Sequence, residues 1–190
     1  MSFHERLAGL KPLLQRRDTA TAISAYHNLP SAIFHYDPVD EWELRKALRL
    51  LATELDNHGK RVTFVSLADC LHEVLSAPDL GVEVLAEAEV NSGLDALIDT
   101  LEHVLTEETP LDQLVAARVP ADANPERDLL FLVRAGALFP FYRTSALLER
   151  MMGSVKVPSV LFFPGRFHSP AGLGFMGVLD PEHNYRARIY

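Results

Sequence analysis

Four arginines near the C-terminus are the residues of this chain best placed to do chemistry. Arg143 follows Phe139-Pro140-Phe141-Tyr142, and Arg166 follows Pro164-Gly165. Each turn sits just past an apolar run, Leu129–Val133 or Val160–Phe163, that reads as a buried strand. Ligands and partners of open α/β folds collect at the carboxyl ends of strands. Arg186 and Arg188 occupy alternate positions, so in a strand they share one face. A guanidinium fork holds a carboxylate or phosphate through two hydrogen bonds. Internal pairing with Asp37, Glu41 or Asp180 is the simplest use of these forks; the others are a partner's acidic groups or an anionic ligand. Phe139, Phe141, Tyr142, Phe167 and Tyr185 lie beside them, and aromatics next to arginine make the composition of interface hot spots. The candidate partner-binding residues are therefore Phe141, Tyr142, Arg143, Arg166, Tyr185 and Arg186. Phenylalanines inside the strands read as core.

The other chemistries lack their residues. A P-loop needs Gly-x-x-x-x-Gly-Lys-Ser/Thr to cradle and neutralise phosphates. Neither Asp37-Pro38 nor Pro164-Gly165-Arg166 supplies it. Gly172-x-Gly174-x-x-Gly177 spells a dinucleotide fingerprint, but it opens no helix, and glycines fitting a tight hairpin are the ordinary reading. The eight histidines (4, 27, 35, 58, 72, 103, 168 and 183) are scattered. His35-x-Asp37 shares a face at a strand end but has no second ligand cluster nearby in sequence. Ser145 lacks the Gly-x-Ser-x-Gly elbow of a nucleophile and, with Thr144, suits a helix N-terminus. Asp40 and Glu43 suit a helix start in the same way. The expectation is a non-enzyme with no catalytic residues, no metal and no cofactor.

The elements that must position these groups follow from periodicity and punctuation. Ser2-Phe3-His4-Glu5 has the form of a capping box, and Leu7, Leu10, Leu13 and Leu14 stripe the helix it opens. Ser31–Tyr36 is the first strand. Asp40 caps a long helix lined by Leu44, Leu48, Leu51 and Leu55. Arg61–Val65 is the second strand, and Ser66 caps the helix after it. Helical patterns cover 82–89 and 94–105, and Thr109-Pro110 starts a short one. Leu129–Arg134, a helix over Thr144–Met152, and Val157–Phe163 follow. Gly172–Val178 reads as an edge hairpin, with Tyr185–Ile189 pairing beside it. Strands alternating with helices predict an α/β fold with a central, mostly parallel sheet flanked by helices. An acidic helical insertion, about residues 78–120, lies between strands two and three. A single domain spans 1–190.

Composition sets the class. Of 190 residues 48% are apolar and 23% charged, as in a globular protein with a real core. No run approaches the ~20 apolar residues of a membrane span, and no signal peptide opens the chain. The single cysteine, Cys70, excludes an internal disulfide, fits a reducing cytosol and reads as a small core hydrophobe. The net charge of −8 argues against strong direct DNA binding, which needs a basic face. The charge is uneven: residues 69–128 carry 2 basic and 15 acidic groups, whereas residues 134–190 carry 7 and 3. The acidic part is a solvated helical face or a docking surface for a basic partner.

One family shares the order of these signals. The C-terminal strand followed by Gly136-Ala137, Phe139-Pro140, Arg143-x-Ser145 and Leu147-Leu148 resembles the BrxB family of bacteriophage exclusion (BREX) systems. So do Phe163-Pro164-Gly165, Phe175-Met176-Gly177 and Asn184-Tyr185-Arg186. Leu29-Pro30, Tyr36-Asp37-Pro38, Glu41-x-Glu43-Leu44-Arg45 and Val65-Ser66-Leu67-Ala68 fit the same pattern. Other members carry a second tyrosine before the final arginine, where this chain has only Tyr185. The resemblance implies a cytoplasmic, non-catalytic component of an anti-phage complex. Its partners would be other BREX proteins, which include a large ATPase, a DNA methyltransferase and the alkaline-phosphatase-like PglZ. PglZ is the first expected partner, and restriction of phage with methylation of host DNA the implied role. The competing reading is a degenerate nucleotide- or phosphate-binding domain using Arg143 and Arg166. DNA binding through the basic C-terminal third is a third.

Overall fold

The computed structural model describes residues 3–24, 30–168, 172–178, 180–181, 185 and 187–190. Leu7, Leu10 and Leu14 form the buried stripe of α1 (Phe3–Leu14), which carries Pro12 near its end. The proposed capping residue Ser2 lies outside the described residues. A short α2 (Thr19–Ile23) leads to β1 (Ser31–Tyr36). Further along come α3 (Glu41–Asp56), β2 (Arg61–Ser66), α4 (Leu67–Leu75), α5 (Val82–Ser92), α6 (Leu94–His103) and α7 (Leu111–Ala116). The chain then forms β3 (Asp128–Val133), α8 (Thr144–Arg150), β4 (Ser159–His168), β5 (Gly172–Phe175) and β6 (Arg188–Ile189).

The sheet runs β2-β3-β4-β1-β6, parallel throughout, with β5 antiparallel on β4. Runs such as Leu129-Leu130-Phe131-Leu132 are continuous because a parallel strand is covered on both faces. Successive side chains point to opposite sides. Ala32, Phe34, Phe131, Val160 and Phe162 pack under Leu10, Leu14, Leu44, Leu48, Leu51 and Leu55 of α1 and α3. Ile33, Leu130, Leu132, Leu161 and Phe163 pack against α4, α7 and α8 through Leu67, Leu71, Leu111, Val115, Leu147 and Leu148. Each such side chain contributes roughly 1.5–3 kcal/mol when taken fully out of water. Cys70 is buried in the second layer, and burial pushes its thiol pKa up. Of the segment expected as an insertion, α7 thus belongs to the sheet's own covering layer, while α5 buries no residue.

Three local expectations need correction. Pro164-Gly165-Arg166 is not a turn: β4 runs straight through it and pairs Gly165 with Phe175 and Arg166 with Gly174. A Cβ on Gly165 would come within 2.2 Å of the Gly174 carbonyl oxygen, so the strand needs glycine here. The chain end does not pair beside the glycine hairpin. β6 instead joins the far edge of β1, with Ala32 opposite Arg188. There the His35 amide donates to the Tyr190 carbonyl at 3.2 Å, and the Tyr190 amide to the Ile33 carbonyl at 2.8 Å. Finally, Asp40 stands at the N-cap of α3 without a capping bond; Asp37 instead caps the 3-10 turn Pro38–Asp40 that precedes α3, accepting from the Val39 amide at 3.2 Å. Ser66 caps α4 as expected, accepting from the Asp69 amide at 3.2 Å.

Candidate docking site

After β3 the chain makes a 3-10 turn (Ala135–Leu138), a cis Phe139–Pro140 peptide and an extended link into α8. This link builds one wall of a cavity of about 250 Å³. Pro140, Phe141, Tyr142, Arg143 and Thr144 form that wall; Leu173 and Phe175 of β5 and Ile98 and Glu102 of α6 form others, and Asp180 and Tyr185 complete it. The β5 hairpin is fixed from behind by rings, with Phe175 5.7 Å from Phe139 and 5.2 Å from Phe163. Tyr185 stands edge-on to Phe163 at 6.0 Å, and its hydroxyl lies 3.2 Å from Thr144 Oγ1. Thr144 is buried and turned towards Tyr185, and Arg143, the N-cap of α8, makes no side-chain capping bond.

Tyr142 is 3% exposed, and its hydroxyl has no hydrogen-bond partner among the described residues. A buried hydroxyl without a partner costs about 1–3 kcal/mol. Burial pushes its pKa up to about 12, with Arg150 opposing and Asp112 and Glu102 adding to the rise. The phenol is therefore neutral and able to donate. Phe141 is half-buried and Arg143 exposed. The wall thus offers an aromatic surface and a cation at the rim, with the Tyr142 hydroxyl buried behind it.

Four of the six candidate residues meet at this cavity: Phe141, Tyr142, Arg143 and Tyr185. Arg166 does not line it. Its guanidinium bonds Asp37 at 3.1 Å, which joins the end of β1 to the second half of β4. Arg186 lies outside the described residues, as does His183. Arg188 stacks over the Tyr190 ring at 5.2 Å. The Gly172 to Gly177 pattern falls on β5 and its turn, and Gly177 has φ +69°. His35 lies 6.1 Å from the Phe167 ring, and burial lowers its pKa to about 4. Among the described residues no three His, Cys, Asp or Glu side chains gather as metal ligands, and no helix is long and apolar enough to cross a membrane.

A second set of residues escaped the sequence reading. Arg45, Arg49 and Arg134 surround a cavity of about 270 Å³ floored by Leu48, Phe64 and Val133. Arg134 sits in the left-handed region at φ 59° and bonds Asp69 at 2.6 Å and Ser66 Oγ at 3.1 Å. The only tryptophan, Trp42, is 71% exposed under the Arg45 guanidinium at 4.7 Å. The i, i+3, i+7 spacing of Trp42, Arg45 and Arg49 on one helix was the available signal.

A mostly parallel, six-stranded α/β domain with helices on both faces is the class this geometry defines. A family model described as "BREX protein BrxB" matches residues 63–189. The chain is also 26% identical over 157 residues to a "BREX protein BrxB" of Bacillus cereus (strain H3081.97), covering 82% of this chain and 80% of that protein. The chain belongs to the BrxB family, and membership implies a component of the BREX phage-defence system. No solved structure matches it.

Proposed function

We propose that the chain is a non-catalytic, cytoplasmic BREX component that docks another BREX protein through the Phe141, Arg143 and Tyr185 rim. The alkaline-phosphatase-like PglZ is the first partner of choice, and the complex supports phage restriction and host DNA methylation. Membership of the BrxB family carries the system-level part of this reading. The meeting of Phe141, Tyr142, Arg143 and Tyr185 on one aromatic–arginine cavity wall is what favours this rim. A partner side chain entering the cavity would bury apolar area against Phe141 and Tyr185 and bring an acid to Arg143. The test is a pull-down of each BREX protein by the wild type and by Arg143→Ala and Tyr185→Ala, with a melting curve for every variant. Loss of PglZ with the fold intact supports the reading. Undiminished PglZ binding by both variants rejects the rim, and binding of a different BREX protein alone rejects PglZ. Steady hydrolysis of ATP, DNA or phosphoesters by the pure protein, abolished by Arg143→Ala or Asp37→Ala, would reject the non-catalytic role.

A further inference from the structure

We propose that the open edge of β2 receives an extended acidic segment of a partner protein as an added strand, with one apolar side chain seated among Leu48, Phe64 and Val133 beneath Arg45, Arg49 and Arg134. This surface is separate from the Arg143 rim and shares no lining residue with it.

Among the described residues β2 ends the sheet and pairs only with β3. Arg61 stands opposite Asp128, and its amide donates to the Arg127 carbonyl at 3.0 Å. In a parallel ladder alternate residues bond the same neighbour. Arg61, Thr63 and Val65 therefore face β3, and the N–H and C=O groups of Val62 and Phe64 face outward. Sheet edges are ordinarily protected by proline, lysine, a bulge or a covering helix. The middle of β2, Val62-Thr63-Phe64-Val65, has no proline or charge, and Phe64 is 41% exposed. Main-chain bonds to such an edge supply affinity, and a pocket for alternate side chains supplies specificity.

The chemistry of the neighbouring cavity selects the occupant. Its floor is apolar, and its three charged lining residues are all arginines. Arg45 is bonded to Glu41 at 2.7 Å and Arg134 to Asp69 at 2.6 Å, while Arg49 is exposed with no ion pair among the described residues. Trp42 extends the rim, stacked on Arg45. Side chains at i and i+2 of a strand lie on one face about 7 Å apart. A segment alternating acidic, apolar and acidic residues on that face would place its apolar group on the floor and its carboxylates at the guanidiniums. A second copy of β2 fits poorly, because it would bring Arg61 and no acid to the same edge.

The test uses overlapping peptides covering the other BREX proteins, titrated against the full chain by anisotropy. Val62→Pro removes an outward N–H, which an edge strand tolerates; Arg49→Glu reverses the charge of Arg49; Lys156→Ala, at an exposed residue that lines neither cavity, is the control. The expected result is that the tightest peptides are acidic. Val62→Pro and Arg49→Glu should each weaken them about tenfold or more, and Lys156→Ala should not. Should Val62→Pro not fold, amide exchange of the wild type replaces it, with Val62 and Phe64 slowed by peptide. The proposal is overturned if no peptide binds, if the tight binders are not acidic, or if both substitutions leave affinity unchanged. It is also overturned if the free chain is a dimer that Val62→Pro makes monomeric, which would give the edge to a second copy.

Discussion

Arg166 and Asp37 form an ion pair of 3.1 Å that links the carboxyl end of β1 to the second half of β4. This commits Arg166 to an internal acid; Arg143 lines the cavity between α6, β5 and the link into α8, and Arg166 does not. The Arg166 side chain is 70% exposed, and exposed pairs are worth little because water and salt screen them. Arg166→Ala should cost less than about 1 kcal/mol of stability by denaturant titration. Any loss of partner affinity it causes then reports a direct contact.

Arg143→Ala should weaken partner binding far more than it alters the melting temperature. Truncating an arginine hot spot costs about 2 kcal/mol, roughly thirtyfold in affinity. Calorimetric titration of PglZ against both single variants, each checked by thermal melting, measures the difference. Equal effects would mean that the rim does not distinguish the two arginines.

Tyr142→Phe separates the two lives of one hydroxyl. In the free chain that group is buried without a bond among the described residues, so its removal should be neutral or stabilising by about 1 kcal/mol. In a complex that supplies an acceptor, the same change should lower affinity several-fold. A rise in melting temperature together with weaker partner binding is the expected pair of results. Tyr142→Phe binding as well as wild type would show that no partner group reaches the Tyr142 hydroxyl.

The sheet was legible because parallel strands buried on both faces must read as apolar runs, and Leu129–Leu132 and Val160–Phe163 do. Helices α3 and α4 were legible from their leucine stripes, and Ser66 from its place before α4. Arg166 was misplaced because Pro164-Gly165 resembles a turn in one dimension. The glycine is in fact there for the close approach of the Gly174 backbone, a pairing partner that local sequence cannot name. The tail was misplaced for a similar reason, since nothing in residues 185–190 says that the free edge of β1 is waiting. Tyr142 looked like a surface anchor among its neighbours Phe141 and Arg143, yet the chain turns it inward. The arginines around Phe64 were missed because they come from α3 and from the residue after β3.

Asp128 should be among the most sensitive charged residues for stability. Its side chain is 2% exposed and accepts from Arg61 at 3.0 Å, Arg127 at 3.1 Å and the Asn124 amide at 2.6 Å. Burial pushes its carboxyl pKa up, but the bonds from Arg61, Arg127 and Asn124 outweigh burial and hold it at about 2. A depressed carboxylate stabilises fully above the unfolded value of 3.8, and the gain is lost as pH falls towards about 2. Asp128→Asn should cost about 3 kcal/mol at neutral pH, because it leaves two guanidiniums facing an amide. Urea titrations at pH 7 and pH 3 should show the difference between the two proteins shrinking at the lower pH.

His35 should set the acid response above that range. It lies in β1 opposite Phe163, and burial, with the charge of Arg6 adding, lowers its pKa from 6.5 to about 4 despite a backbone hydrogen bond at Gly165. The folded state thus holds the imidazole neutral where the unfolded chain would protonate it. Stability from this group is complete above pH 6.5 and drains away as pH falls towards about 4, where the folded form also takes up the proton. Between these limits unfolding should absorb up to about one proton from this site. His35→Gln should flatten the stability–pH curve in that window while leaving the Asp128 limb below pH 3.8 in place. A curve unchanged by the substitution would mean that His35 is solvated enough in the folded chain to titrate normally.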